Sequence, residues 1–199
     1  MRTSKFWLIL SPSIICAVSL GTLIASAEAW FERPIPQPAR QTKSPGKTLD
    51  DTIKWLGAVI EGNSAETAKR PARYDSYKYE SFKFEGCSLF WRETHESFEG
   101  QMRLSKTVQD LTIPLSRLSR SSVRMDKVGG SLHVVSFTTL KLENSIRSRM
   151  KSTYQDGSED TSTSAKSGYG VYFQNGAVAD KVARAVVFSI RSCQKEEQP

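Results

Sequence analysis

The chain has 199 residues, 25% of them charged and 38% hydrophobic, with 28 Lys and Arg against 21 Asp and Glu. That length supplies one domain with additions rather than two, and that balance excludes a disordered polymer. The net charge of +7 permits contact with acidic polymers or anionic surfaces but does not demonstrate it.

Arg2 and Lys5 precede the apolar run from Phe6 to Ala27, which exits through two overlapping Ala-x-Ala sites, Ala25/Ala27 and Ala27/Ala29. A basic start, a greasy middle and a small-residue exit predict a signal peptide over 1–29 and export to a periplasm or the exterior. The alternative is an uncleaved membrane anchor, since the 22 residues of the run are enough to cross a bilayer. Pro12 and Gly21 weaken such a span, and none is expected after cleavage. Removing 1–29 takes away two bases (Arg2, Lys5) and one acid (Glu28), so the net charge falls from +7 to about +6.

Residues 30–47 hold four prolines and no apolar periodicity, which reads as a linker. Its "PGKT" is not a phosphate loop, because Gln41 stands where that motif needs glycine. Thr48 with Asp51 then resembles a capping pair. Leu49, Ile53, Leu56 and Ile60 recur at helical spacing, flanked by Trp55 and Val59, predicting a helix over 48–61 that Gly62-Asn63 ends. "SAETAKRPAR" behind it reads as a loop.

Between 74 and 174 the texture is aromatic and β-branched, broken by turn residues, and predicts six or seven strands. Cys87, Leu89 and Trp91 share a face in one of them. Ile146, Ser148 and Met150 face one way in another, with Arg147, Arg149 and Lys151 facing the other. "STYQDGSEDTSTSAKSG" reads as a long polar loop. A helix follows over 176–193, capped by Asn175. Val178, Val182, Val186, Ile190 and Cys193 lie on one side, and Asp180, Arg184 and Arg191 on the other. Residues 196–199 form a tail.

Cysteine usage agrees with export. Of three cysteines, Cys16 lies in the signal peptide, leaving Cys87 and Cys193 to bridge in an oxidising compartment. The helix phase aims Cys193 at the sheet. The bridge closes a loop of about 105 residues, for which chain entropy sets an upper figure of roughly 4 to 5 kcal/mol.

The expected fold is α+β and mainly β: a bent antiparallel sheet or barrel, a C-terminal packing helix and an N-terminal amphipathic helix, together one domain over 48–195. The order of elements over 74–194, with the closing helix "AVADKVARAVVFSI", resembles the pleckstrin-homology-like superfold. That resemblance implies a barrel plugged at one end by the last helix. The alternative is a helix-grip fold, in which a sheet wraps the helix around a lipid-sized cavity.

Chemistry is sparse. His95 in "RETHES" shares a face with Glu93 while Glu96 points away, but no further metal ligands are evident, and an exposed strand-end cluster is expected. "DGSED" at 156–160 lacks the glycine and distal glutamate of a calcium loop. No catalytic residue, metal or cofactor is assigned. The strongest binding feature is basic. Arg117, Arg120, Arg124 and Lys127 in one segment, and Arg147, Arg149 and Lys151 in another, would form an anion-binding patch if the segments lie side by side. The expected function is a non-catalytic binding or envelope-associated module. Its partner is not fixed by the sequence: an anionic polymer or envelope component is compatible with the basic residues, a solvated sheet face is the plainer reading of them, and there is no specific nucleic-acid signal. The alternative is a carrier of a lipid or other apolar ligand in an internal cavity.

Overall fold

The structure, a computed structural model, describes residues 48–70 and 72–196. The expected signal peptide, the linker and the end of the tail lie outside those residues; Glu196 still belongs to the last helix.

Helix α1 (Leu49–Glu61) begins at a reciprocal cap. The Asp51 amide donates to Thr48 Oγ1 at 3.2 Å, and the Thr48 hydroxyl donates to the Asp51 carboxylate at 2.8 Å. Asp50 and Asp51 also place negative charge at the positive end of the helix dipole. Ile53, Trp55, Leu56 and Ile60 are buried. Gly57 is required on that side: a Cβ there would stand 2.7 Å from the Phe82 ring.

Nine strands follow among the described residues: β1 (Ser64–Arg70), β2 (Arg73–Glu85), β3 (Ser88–Glu99), β4 (Met102–Pro114), β5 (Arg124–Gly129), β6 (Leu132–Thr138), β7 (Ile146–Tyr154), β8 (Glu159–Lys166) and β9 (Gly168–Phe173). Six form one antiparallel sheet in the order β1-β2-β3-β4-β7-β8, and three form another, β5-β6-β9. The two strands beyond the expected number are β1, read as a loop, and β8, read as part of a long polar loop. They are the two edges of the larger sheet. An edge strand with little buried face has no apolar alternation to display, and β8 is exposed along most of its length. "DGSED" lies at the tight β7–β8 turn, where Asp156 Oδ1 accepts from the Ser158 amide at 2.9 Å and from its hydroxyl at 2.6 Å. Those two bonds, the hydroxyl's first, hold the Asp156 carboxyl below its usual range.

The sheets do not close into a barrel, so the pleckstrin-homology-like expectation is corrected on that point. At the edge of β9, side chains take the place of a further strand. Asn63 Nδ2 donates to the Tyr172 carbonyl at 2.7 Å, and the Tyr172 amide donates to the Tyr79 hydroxyl at 3.0 Å. Gln174 Nε2 donates to the Glu66 carbonyl at 2.8 Å. Edge amides and carbonyls need partners whether or not a ladder supplies them.

Helix α2 (Gly176–Glu196) starts where Asn175 Oδ1 accepts from the Ala177 and Val178 amides at 2.9 and 3.2 Å. Its buried stripe of Ala179, Val182, Val186, Ile190 and Cys193 joins one core with Trp91 and Leu111 of the large sheet and Val135 and Val171 of the small one. The space left at its centre, beneath Val182 and Val186, is about 10 Å³, about what a single water-sized sphere fills. No lipid-sized cavity opens at this point of the core.

Cys87 and Cys193 are bonded, with Cα atoms 5.7 Å apart, and are separated by 106 positions in the chain. Cys87 is not a strand residue sharing a face with Leu89, as expected. It sits with Gly86 in the β2–β3 turn, where both have positive φ, 52° and 57°, as a two-residue type I′ hairpin requires. Leu89 and Trp91 do share the buried face. Changing both cysteines to serine should lower unfolding free energy by about 3 to 5 kcal/mol in denaturant titration. A loss below about 1 kcal/mol would mean that the unfolded chain is not restrained by the bridge.

Candidate functional site

The outer face of the larger sheet is built from alternate residues of β2, β3, β4, β7 and β8. Register sets Arg92, Asp110, Arg149 and Thr163 in one cross-strand row, and Thr112, Arg147 and Ala165 in the next. Most cations on this face are matched. Arg92 grips the Asp110 carboxylate at 2.8 and 3.3 Å, Arg103 reaches Glu96 at 3.1 Å, Lys151 reaches Glu159 at 2.9 Å, and Lys78 pairs with Glu80. Arg147 and Arg149 differ: both are exposed and neither enters an ion pair among the described residues. They line an open depression of about 490 Å³ together with Thr112, Thr163, Ala165 and the already engaged Asp110.

The other basic residues singled out from the sequence are distributed differently. Arg117 and Arg120 lie in two short 3₁₀ turns, Leu115–Arg117 and Arg120–Ser122, and Arg124 and Lys127 lie on β5 in the other sheet. The two basic segments thus do not run as neighbouring strands. Their ends do converge at Thr139, which bridges to Leu118 and whose amide donates to the Ser167 carbonyl at 2.8 Å. Ser167 follows Lys166, and Lys166 pairs in register with Ile146, just before Arg147.

Beneath the sheet lies a polar cluster that the sequence reading places wrongly. Glu93 and His95 are mid-strand and inward, with Glu93 only 8% exposed, rather than an exposed strand-end pair. Glu96 does point away, toward Arg103 and Lys106. Facing residues of β2 complete the group. Asp75, fully buried, accepts from the Ser97 hydroxyl at 2.6 Å, and its other oxygen lies 3.4 Å from His95 Nε2. The Tyr77 ring stacks on His95 with centroids 4.7 Å apart, and Tyr169 donates its hydroxyl to Glu93. Burial pushes the Glu93 carboxyl above its usual range, against the weaker pull of the Tyr169 hydroxyl and the Lys166 charge. Burial, then Glu93, pushes the Tyr169 phenol well up, so it stays a donor.

Chemically, this trio is ordered with the carboxylate between hydroxyl and imidazole. Ser97 gives its hydrogen to Asp75, so His95 has no hydroxyl to deprotonate within it, unlike a nucleophilic triad. Among the described residues no three His, Cys, Asp or Glu side chains converge as metal ligands. His133 bonds the Ser131 carbonyl at 2.9 Å, its ring packed against Gly176. No helix of the described residues is long and apolar enough to cross a membrane. No protein-family model, curated protein or solved structure matches the chain.

The raised Glu93 carboxyl gives a pH test. It holds its proton to higher pH folded than unfolded, so its contribution to stability is complete below the ordinary value of 4.5 and fades as pH rises through the folded value. Glu93→Gln keeps the acceptor for Tyr169 without the charge. Thermal melts should match wild type near about pH 4 and exceed it once pH has risen above the folded value of the carboxyl. A variant that melts lower throughout would show that Glu93 is held as a paired anion.

Proposed function

We propose that this chain is an exported, non-catalytic binding module that holds an anionic polymer or envelope component on the outer face of its larger sheet. One observation carries the reading. On a surface where neighbouring cations are matched by carboxylates, Arg147 and Arg149 are left unmatched beside an open depression with two threonine neighbours. Two residues two apart on a strand have Cα atoms about 6.6 Å apart along it, so their side chains can reach successive phosphate, sulfate or carboxylate groups, each arginine by bidentate contacts. The disulfide supports export, because such a bridge persists in an oxidising compartment. The carrier alternative gains no support from an interior whose central space is about 10 Å³.

The reading is tested by affinity for soluble heparin or polyphosphate. Arg147→Ala with Arg149→Ala should bind roughly tenfold to a hundredfold more weakly, two charge-assisted contacts being lost. Arg103→Ala, which removes a matched cation, should bind nearly as wild type. Both are exposed positions, so stability should change by no more than about 0.5 kcal/mol. Equal affinity of wild type and the double variant would overturn the assignment to this face.

A further inference from the structure

The connection between β6 and β7 presents its apolar side chains outward. Leu140 is 42% and Leu142 67% exposed, at the two ends of a short turn over Leu140–Leu142. The turn is ordered by strain as well as by bonds. Lys141 and Leu142 both adopt left-handed backbone, φ 52° and 55°, a conformation that costs a leucine energy and is kept only where surrounding contacts over-determine it. Here they do. The Thr139 hydroxyl donates to the Glu143 and Ser167 carbonyls, and the Leu142 and Glu143 amides donate to Thr139 and Leu140 at 3.3 and 3.1 Å. A loop with no task for its leucines could turn them inward or carry polar residues. This one fixes them in water.

The surroundings indicate what would receive them. The Leu118–Thr139 bridge and the Ser119 amide, which donates to the Thr138 carbonyl at 2.9 Å, hold the segment around Leu118 beside the start of this connection. Segments 115–122 and 139–147 together hold Arg117, Arg120, Lys141 and Arg147 against one carboxylate, Glu143. All four cations are exposed, and none is ion-paired among the described residues. Two exposed leucines in a connection whose own and adjoining segments carry these cations match an anionic bilayer: acyl chains take the leucines while headgroup phosphates take the arginines and lysine. A purely polymeric anion would use the charges and leave the leucines in water.

We infer that the Leu140–Leu142 turn is a docking tip that inserts into an anionic lipid surface. The inference rests on the basic-face reading and names the source of the anion as a bilayer. The test places a reporter at the tip of the disulfide-bonded protein, Leu142→Trp, with wild type correcting for the native tryptophans. With vesicles of phosphatidylglycerol and phosphatidylcholine carrying brominated acyl chains, the added emission should shift to the blue and be quenched. With phosphatidylcholine alone it should not change. Leu140→Ser with Leu142→Ser should keep wild-type affinity for soluble polyphosphate. Added emission that stays unshifted and unquenched with anionic vesicles overturns the inference; if polyphosphate binding persists, the basic-face reading stands. Failure to bind polyphosphate as well would remove both. Self-association in buffer that Leu140→Ser with Leu142→Ser abolishes would overturn the inference by making the tip a contact between copies.

Discussion

The covalent tie between the β2–β3 turn and the last turn of α2 is the constraint through which the rest of the structure is connected. Cys87 sits in left-handed backbone that only the hairpin turn requires, and its carbonyl accepts from the Leu115 amide at 2.9 Å. One residue beyond Cys193, Gln194 Nε2 donates to the carbonyls of Ser116 and Leu118 at 3.2 and 2.9 Å. The end of α2 therefore holds both the hairpin and the connection leaving β4. Leu118 passes the restraint to Thr139, and Thr139 to Ser167. The loops that carry Arg117, Leu140 and Leu142 are anchored through this sequence of contacts rather than by a ladder of their own.

The two faces of the larger sheet solve opposite electrostatic problems. Inside, where charge is costly, carboxyl groups are given hydroxyl donors: Ser97 to Asp75 and Tyr169 to Glu93. Glu93 is pushed toward its neutral form by burial. Outside, long cations lie over carboxylates on neighbouring strands, an arrangement worth little individually but effective in keeping a sheet face soluble. Arg147 and Arg149 are two exposed cations side by side that this matching leaves out. Two like charges two residues apart on one face repel each other, a cost that an anionic partner from outside the chain would relieve.

Both helices are legible in the sequence, because each has a polar cap and an apolar stripe at the right period; α1 and the start of α2 fall within a residue of expectation. The bridge is legible from cysteine number and helix phase. Polar edges are not: β1 and β8 lack the alternation by which a half-buried strand announces itself. Register is the other loss. Alternation places Asp75, Tyr77 and Tyr79 on one face of β2, and Glu93, His95 and Ser97 on one face of β3. Nothing within either segment says that Asp75 lies opposite Ser97 and Tyr77 opposite His95. Without that pairing, a buried network looks like an exposed strand end. Likewise, Arg147 and Arg149 are recognisable as a row, but their lack of partners depends on Arg92 reaching Asp110 first.

Peptide mapping of protein purified without reductant tests the tie between hairpin and helix most directly. Digestion under non-reducing conditions should release one species joining the peptide that contains Cys87 to the peptide that contains Cys193, lighter by two hydrogens than the pair after reduction. Recovery of both peptides separately, each alkylated at its thiol, would contradict the covalent connection and the oxidising compartment inferred from it.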